Sequence, residues 1–209
     1  MATTKLAVYN QALIQLKQSS LVSLTEEIEA RYVLDTLYDA VTKEMLEKGH
    51  WTFAMRSVEI TQDTAITPAF GYSKAFNKPD DWVRTYAISM NEFFDPLFYD
   101  WTEEAGLLFA DSAPIYLRYV SNDANGYGMD LALWTGRFTK AVAFEMAYRG
   151  APKIAGSSDS FAEKLEGDAA RAVDEALQFE ALREPGKQLP QGRWTQDRFN
   201  HRRLWNGRK

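Results

Sequence analysis

The stretch KEMLEKGHWTFAMRSVEI, residues 43–60, contains the point at which the spacing of apolar residues changes. Up to Gly49 the apolar residues recur every three or four positions, as on one face of a helix. From Trp51 to Met55 they alternate, and Val58 and Ile60 continue in the opposite phase, which predicts a strand with a bulge over 51–60. A change of period from helix to strand in one chain favours an α+β fold.

Two helices are predicted before this point, over residues 4–18 and 25–49. The first opens near Thr3 or Thr4, and the second follows Ser23 and Glu26, whose spacing fits a capping box. Gly49 is a favourable stop signal. The predicted apolar face of the second helix consists of Ile28, Leu34, Leu37, Val41 and Met45.

A β insertion of about residues 51–120 is predicted next, because this region is rich in aromatic residues and is punctuated by prolines. Further strands are expected near 82–89, 97–103, 106–110 and 114–120. The two middle strands are joined around EEAG (residues 103–106) as a hairpin. The segment SNDANGYG (residues 121–128) has the composition of a loop.

Helical spacing returns over residues 128–150 and 157–183, and Glu184, Pro185 and Gly186 end the last helix. None of the helices can hide its apolar stripe alone, so they must pack on one another. The predicted fold is therefore a bundle of about four helices with an inserted small antiparallel β-sheet. This domain spans 1–185, and an extended basic and aromatic arm spans 186–209.

Composition argues against several classes of protein. The chain of 209 residues has no cysteine and two histidines, so a disulfide scaffold, a thiolate metal site and a histidine-based triad are not expected. No glycine-rich phosphate motif and no apolar run of membrane-spanning length is present, which predicts a soluble protein that is not secreted. The acidic pairs Asp80–Asp81 and Glu103–Glu104 do not converge, because neighbouring strand residues face opposite ways. We expect no enzyme activity, no cofactor and no metal.

The remaining conspicuous side chains have ordinary structural interpretations. His50 stands at a helix end beside Trp51, where a capping or packing role is expected. Core packing is the default role for five aromatic residues, namely Trp51, Phe53, Trp82, Trp101 and Trp134. The acidic helix faces are expected to be solvated, although a ring of such faces would line a negatively charged channel.

Charge is strongly segregated along the chain. Residues 186–209 carry seven Lys or Arg and one acid, whereas the preceding 185 residues carry 17 bases and 28 acids. Arginine interleaved with tryptophan and phenylalanine suits single-stranded nucleic acid, through charge and base stacking. The same composition is also typical of anchors in protein interfaces. A third possibility is a terminal segment without a partner.

Several motifs in this order resemble those of the head-to-tail adaptor proteins of tailed bacteriophages, the tail tubular A type of short-tailed phages. They are Asn10-Gln11-Ala12-Leu13; Tyr38 with Asp39; Trp51-Thr52-Phe53-Ala54; Tyr72, Phe76, Pro79, Asp81 and Trp82; Leu117 with Tyr119; and a closing helix pair with a Gly/Ser linker. The likeness spans about residues 5–182. One departure is His50, which stands where such proteins often have a proline before the tryptophan.

The resemblance implies a structural virion protein located at the head–tail junction and assembled in the host cytoplasm. It would form a homo-oligomeric ring, a dodecamer, between the portal ring and the tail nozzle protein. DNA would pass through the lumen during genome ejection without specific binding, because an acidic surface repels phosphate. No membrane is involved.

The resemblance also implies that the C-terminal arm docks on a partner, and we predict that this partner is the portal ring. The predicted contacts are Arg193, Trp194, Arg198, Phe199, Arg202, Arg203 and Trp205. The main alternative is a nucleic-acid-binding module that acts through the basic arm, and a tail-associated lytic enzyme is a third hypothesis.

Overall fold

Four helices and six strands follow one another in the computed structural model, which describes residues 3–69, 71–156 and 158–183. The helices are α1 (Lys5–Gln15), α2 (Glu29–Lys48), α3 (Gly136–Ile154) and α4 (Asp159–Arg183). The strands are β1 (Met55–Ile60), β2 (Lys74–Asn77), β3 (Trp82–Ser89), β4 (Trp101–Glu104), β5 (Leu107–Ala110) and β6 (Ile115–Ser121). The predicted α+β class, with helices on either side of a β insertion, is confirmed.

The helix ends differ from prediction for local reasons. Thr4 caps α1 as expected, since its hydroxyl accepts from the backbone N–H of Ala7 at 3.2 Å. Helix α2 begins at Glu29, not at residue 25. The Glu26 carboxylate does accept from the backbone N–H of Ser23 at 2.8 Å, but this bond closes a turn of the preceding loop. Ile28 is consequently extended and is exposed rather than buried.

Helix α3 is displaced from the predicted 128–150 at both ends. It begins at Gly136, where the Thr135 hydroxyl accepts from Phe138 N–H at 3.2 Å, and it continues past Pro152 to Ile154. Gly150 therefore does not end the helix. A Cβ at this glycine would lie 3.1 Å from Ile154 Cδ1 and 3.8 Å from Leu37 Cδ1. The tighter of these contacts is with the side-chain end of Ile154 in the same helix, whereas the distance to α2 is an ordinary van der Waals contact.

The β insertion consists of two three-stranded antiparallel sheets, where the sequence predicted one. The inner sheet has the order β1-β6-β3, with Met55 opposite Val120 and Ile60 opposite Ile115. The outer sheet has the order β2-β5-β4. The hairpin predicted around EEAG is confirmed: Ala105 and Gly106 both have positive φ, as a tight type I′ turn requires.

Three details of the strand prediction are wrong. Residues 52–54 form a 3-10 turn, so β1 begins at Met55 and not at residue 51. Strand β4 begins at Trp101 instead of residue 97, and β2 was not predicted, because four residues are too few to show alternation. Residues 89 and 97 do form an isolated bridge, which closes a loop rather than extending a strand.

Two apolar cores hold these elements. The helical core lies among the four helices and includes Trp51, Val83 and Val120 at its border with the inner sheet. The β core lies between the two sheets. It contains Phe76, Ile88, Leu108, Ala110, Ile115, Leu117 and Tyr119. Strand β6 contributes to both cores, and this couples the helical part to the β insertion.

Candidate interaction surfaces

All seven predicted docking residues of the arm lie outside the described residues. They are Arg193, Trp194, Arg198, Phe199, Arg202, Arg203 and Trp205. The last described residue is Arg183 of α4, three residues before the predicted arm.

The end of α4 is fixed to the junction between the helices and the β insertion. Glu180 is buried, and its Oε2 accepts from the Thr52 backbone N–H at 3.0 Å and from the Thr52 hydroxyl at 2.6 Å. Its other oxygen accepts from Arg183 Nη1 at 3.0 Å. The end of the described part of α4 therefore lies beside the first turn of the β insertion.

The surface at the end of α4 combines apolar and cationic side chains, and we call it the C-terminal patch: Arg137, Phe179, Leu182 and Arg183. Leu182 is 85% exposed. The guanidinium carbons of Arg137 and Arg183 lie 5.2 Å and 5.9 Å from the centre of the Phe179 ring. Phe179 and Leu182 are three residues apart and so share one helix face.

A second exposed apolar surface lies in the connection between β3 and β4, which we call the β3–β4 loop (residues 90–100). Met90, Phe93 and Tyr99 are 53%, 78% and 80% exposed. Eleven large apolar side chains are exposed among the described residues, so three of them within ten residues are a candidate interaction site.

Polar side chains fix the backbone of the β3–β4 loop. The Asn91 amide donates to Asp95 O at 2.7 Å, and its oxygen accepts from the Phe93 N–H at 3.1 Å. The Ser89 hydroxyl donates to Pro96 O at 3.1 Å. Phe94, at φ 56°, has the Arg118 guanidinium 4.1 Å from its ring centre. The exposed aromatic residues thus project from a loop whose backbone is held by side-chain hydrogen bonds.

The β3–β4 loop is also acidic. Glu92, Asp95 and Asp100 are all exposed, and among the described residues none of them pairs with a cationic side chain. Asp100 accepts from the Tyr72 hydroxyl at 3.1 Å. Burial and this bond raise the pKa of Tyr72.

The motif residues of the N-terminal part lie where neighbouring elements of the fold meet. Asn10 donates to Leu21 O at 2.9 Å and accepts from Leu21 N–H at 2.7 Å, which fixes the α1–α2 connection. Tyr38 stacks on Trp134 with ring centres 6.3 Å apart, and burial raises its pKa to about 12. The fully buried Trp51 donates from Nε1 to Met45 O at 2.8 Å and so ties the helix-to-strand junction to α2.

Asp81, another motif residue, organises the end of the inner sheet nearest the helices. It accepts from Arg56 Nη1 at 2.8 Å, from the Tyr119 hydroxyl at 2.9 Å and from the Ser121 hydroxyl. Burial opposes its ionisation, but the three hydrogen bonds outweigh burial and hold the pKa of Asp81 below its ordinary value. Burial and the bond to Asp81 raise the pKa of Tyr119.

Two further ionic clusters join helices. Asp35 of α2 accepts from Arg31 at 2.7 Å and from the Tyr9 hydroxyl of α1 at 2.6 Å. Arg149 of α3 donates to both carboxylate oxygens of Glu44 on α2 and to Glu145 at 2.8 Å. Hydrogen bonds from Arg149 lower the pKa of the Glu44 carboxyl.

One member of each acidic pair is engaged in an ion pair. Asp81 is committed to the cluster around Arg56, while Glu103 accepts from Lys78 at 2.6 Å. Within the described ranges, no group of three acidic or histidine side chains could hold a metal ion. The His50 ring contacts Tyr86 at 4.7 Å between centres, as expected of a packing residue.

Two open cavities are present in the β insertion. One, of about 260 Å³, lies between residues 66–72 and the β4–β5 hairpin, and Tyr72, Glu104 and Phe109 border it. The other, of about 480 Å³, is polar and lies between the end of β1 and Asn77. Threonine hydroxyls and carboxylates line both cavities: Thr67, Thr102 and Glu104 in the first, and Thr61, Thr64, Glu59 and Asp63 in the second.

Sequence reasoning identified the arm but missed the C-terminal patch and the β3–β4 loop. Strands were predicted near 82–89 and 97–103, and the segment between them in MNEFFDPLFY (residues 90–99) received no prediction. The Asn and Asp-Pro within it were the available loop signals.

Neither a known protein-family model nor a curated protein sequence matches this chain. Among the described helices, none combines the length and the apolar character needed to cross a bilayer.

Proposed function

We propose that this chain is a head-to-tail adaptor of a tailed bacteriophage, a structural virion protein that forms a ring between the portal ring and the tail nozzle. The observation that carries this proposal is the position of the motif residues. Asn10, Tyr38, Trp51 and Asp81 occupy the joints between α1, α2, α3 and the inner sheet. These residues hold neighbouring elements in position. Proteins that share one fold need such residues at the same spacing along the sequence.

The charge distribution supports the proposed passage of DNA. The described residues carry 17 Lys or Arg and 27 Asp or Glu. On α4 the exposed acids are Asp159, Glu163, Glu166, Asp174 and Glu175. A ring whose lumen was lined by such faces would repel phosphate, so DNA would slide through it instead of being held.

The basic arm supplies the proposed attachment to the portal. The arm, residues 186–209, comprises 24 residues, which can reach about 80 Å when extended. That length exceeds the diameter of about 40 Å expected of a globular domain of this size. Its tryptophan and arginine residues are the types that dominate interface energetics.

The test is electron microscopy of the purified chain mixed with portal particles. An added annular layer on the portal is expected. A chain lacking residues 187–209 should give an unchanged circular dichroism spectrum and no added layer. Normal attachment of this truncated chain would contradict the role of the arm, and the absence of a layer with the full chain would contradict the proposed function itself.

The arm composition also favours a second candidate, binding of nucleic acid. Fluorescence anisotropy with single-stranded and duplex DNA distinguishes the two. Tight binding that weakens steeply with salt would support a nucleic-acid-binding module, while indifference to DNA is expected of the adaptor.

A further inference from the structure

The β3–β4 loop combines exposed apolar side chains with carboxylates that have no cationic partner. Met90, Phe93 and Tyr99 are exposed. The loop also contains three acids, and within the described part of the chain none of them forms an ion pair. An apolar centre with a charged border is the usual anatomy of a protein interface. The loop therefore offers a site for a segment that is both cationic and aromatic.

The negative charge extends beyond the loop to the adjoining end of the inner sheet. The charge of Glu59, burial and the charge of Glu92 together raise the pKa of Tyr116 in β6. Arg118 lies against the loop, with its guanidinium carbon 4.1 Å from the centre of the Phe94 ring. Its single charge does not balance the three loop acids and Glu59, so the surface remains negative.

The arm, residues 186–209, has the complementary composition. It carries seven Lys or Arg and one acid, and Trp194, Phe199 and Trp205 stand among its arginines. The preceding 185 residues carry 17 bases and 28 acids, so the arm is the segment of this chain with the matching sign. Opposite charge favours encounter between two segments, and aromatic and arginine side chains supply much of the energy of a contact.

The fold brings the loop within reach of the arm of the same chain. The end of α4 lies beside Thr52, just before β1 begins. The loop follows Ser89, whose partner Tyr116 lies at the far end of the inner sheet. The six residues of β1 separate these two ends by about 20 Å. Residues 184–192 can span up to about 30 Å, so the part of the arm that begins near Trp194 can reach the loop.

We propose that the arm docks on the β3–β4 loop of its own chain. Aromatic side chains of the arm pack on Phe93 and its exposed neighbours, while arginines of the arm face the loop carboxylates. Hydrogen bonds from Ser89 and Asn91 already hold the loop backbone, so docking does not have to order it. The contact goes beyond the proposed function. Because the same residues cannot contact the loop and the portal at once, portal binding has to displace the arm from the loop.

Limited digestion of the full chain with trypsin tests this contact, because trypsin cleaves after the arginines of the arm. A synthetic peptide of residues 187–209 gives the cleavage rate of a free arm. At low salt, the bonds after Arg193 and Arg198 should be cleaved at least about tenfold more slowly in the full chain than in the peptide, since attachment raises the effective concentration of the arm at the loop. In about 0.5 M NaCl this difference should shrink, because salt screens the charges.

Two matched double variants locate the docking site. Glu92→Gln with Phe93→Ser removes one charge and one apolar side chain from the loop, and arm cleavage at low salt should accelerate at least about fivefold. Glu27→Gln with Val22→Ser removes the same kinds of exposed side chain from the α1–α2 connection and should leave the protection of the arm unchanged. Circular dichroism of both variants should match that of the unchanged chain.

Three outcomes overturn the proposal. The full chain could be cleaved as fast as the peptide at low salt, or the loop variant could retain the protection of the unchanged chain. Protection that grows with the concentration of the chain would place the arm on another copy. The proposed function is judged separately by electron microscopy of portal particles. An annular layer formed by a chain whose arm is unprotected when free removes only this contact, whereas a protected arm without a layer removes only the adaptor role.

Discussion

At the scale of the residue, Trp51 performs two tasks. Its ring fills the helical core with its centre 4.7 Å from that of Phe138, and its Nε1–H satisfies a carbonyl near the end of α2. Few other side chains combine that volume with a donor. The junction between helix and strand therefore depends on this one residue.

Replacement of Trp51 should show both contributions. Trp51→Ala is expected to lower the free energy of unfolding by about 3–5 kcal/mol because it leaves a large cavity. Trp51→Phe should cost less, about 1–3 kcal/mol, since it keeps a ring but leaves Met45 O without its donor. Urea unfolding followed by circular dichroism measures both. Tyr99→Ala, at an exposed ring, should change stability by less than about 0.5 kcal/mol. A cost for Trp51→Ala no larger than that control would contradict this role.

The carboxyl of Asp81 predicts a specific dependence of stability on pH. Its pKa is lowered in the folded chain, whereas an unfolded Asp titrates near about 3.9. As pH falls through that value, the unfolded state binds a proton that the folded state does not yet bind, so the stabilisation from Asp81 is present above it and is lost on acidification. Asp81→Asn should therefore be less stable at neutral pH, and its unfolding free energy should fall less steeply between about pH 5 and pH 2.

The neighbouring Asp80 provides the control for this measurement, because it is exposed and forms no hydrogen bond or ion pair within the described part of the chain. Asp80→Asn should reproduce the wild-type acid slope. Equal slopes for the Asp81→Asn and wild-type chains would show that the hydrogen bonds to Asp81 do not contribute as proposed.

At the scale of the element, glycines determine how closely neighbouring segments approach. A Cβ at Gly128 would overlap the carbonyl oxygen of Ser121 and would lie 2.9 Å from Leu46 Cδ1. Backbone cannot move aside as a side-chain tip can, so the loop after β6 requires glycine here. Gly167, inside α4, has open space around it.

Two alanine substitutions should consequently change the free energy of unfolding in opposite directions. Gly128→Ala is expected to destabilise the chain by at least about 2 kcal/mol through the overlap with Ser121. Gly167→Ala should stabilise it by about 0.5–1 kcal/mol, because alanine restricts the unfolded chain and favours helix. Thermal unfolding of the two variants in parallel measures both changes in stability. A stabilising Gly128→Ala would refute the close approach of Gly128 to the Ser121 carbonyl.

At the scale of the whole molecule, strand β6 joins the two cores. Val120 faces the helical core, whereas Ile115, Leu117 and Tyr119 face the β core. A strand shared in this way should couple the melting of both parts, although each has its own apolar interior.

A cavity in the β core tests this coupling. Leu108→Ala removes a fully buried side chain between the two sheets and should cost about 2–5 kcal/mol. In a background with Trp82, Trp101, Trp194 and Trp205 replaced by Phe, fluorescence from Trp51 and Trp134, which are buried in the helical core, should shift to the same new midpoint as the far-ultraviolet signal. A β-core transition that precedes the fluorescence change would mean that the insertion melts as a separate unit.

The sequence by itself determined that two helices precede a β insertion and two helices follow it, and it identified the β4–β5 hairpin, because periodicity and turn chemistry are local properties. It also isolated the basic arm through charge alone. The tertiary structure decided what depends on distant partners: the division of the strands into two sheets, the continuation of α3 past Gly150, and the exposure of Ile28. It alone shows the β3–β4 loop and the C-terminal patch, because whether an aromatic side chain is buried depends on what the rest of the fold places over it.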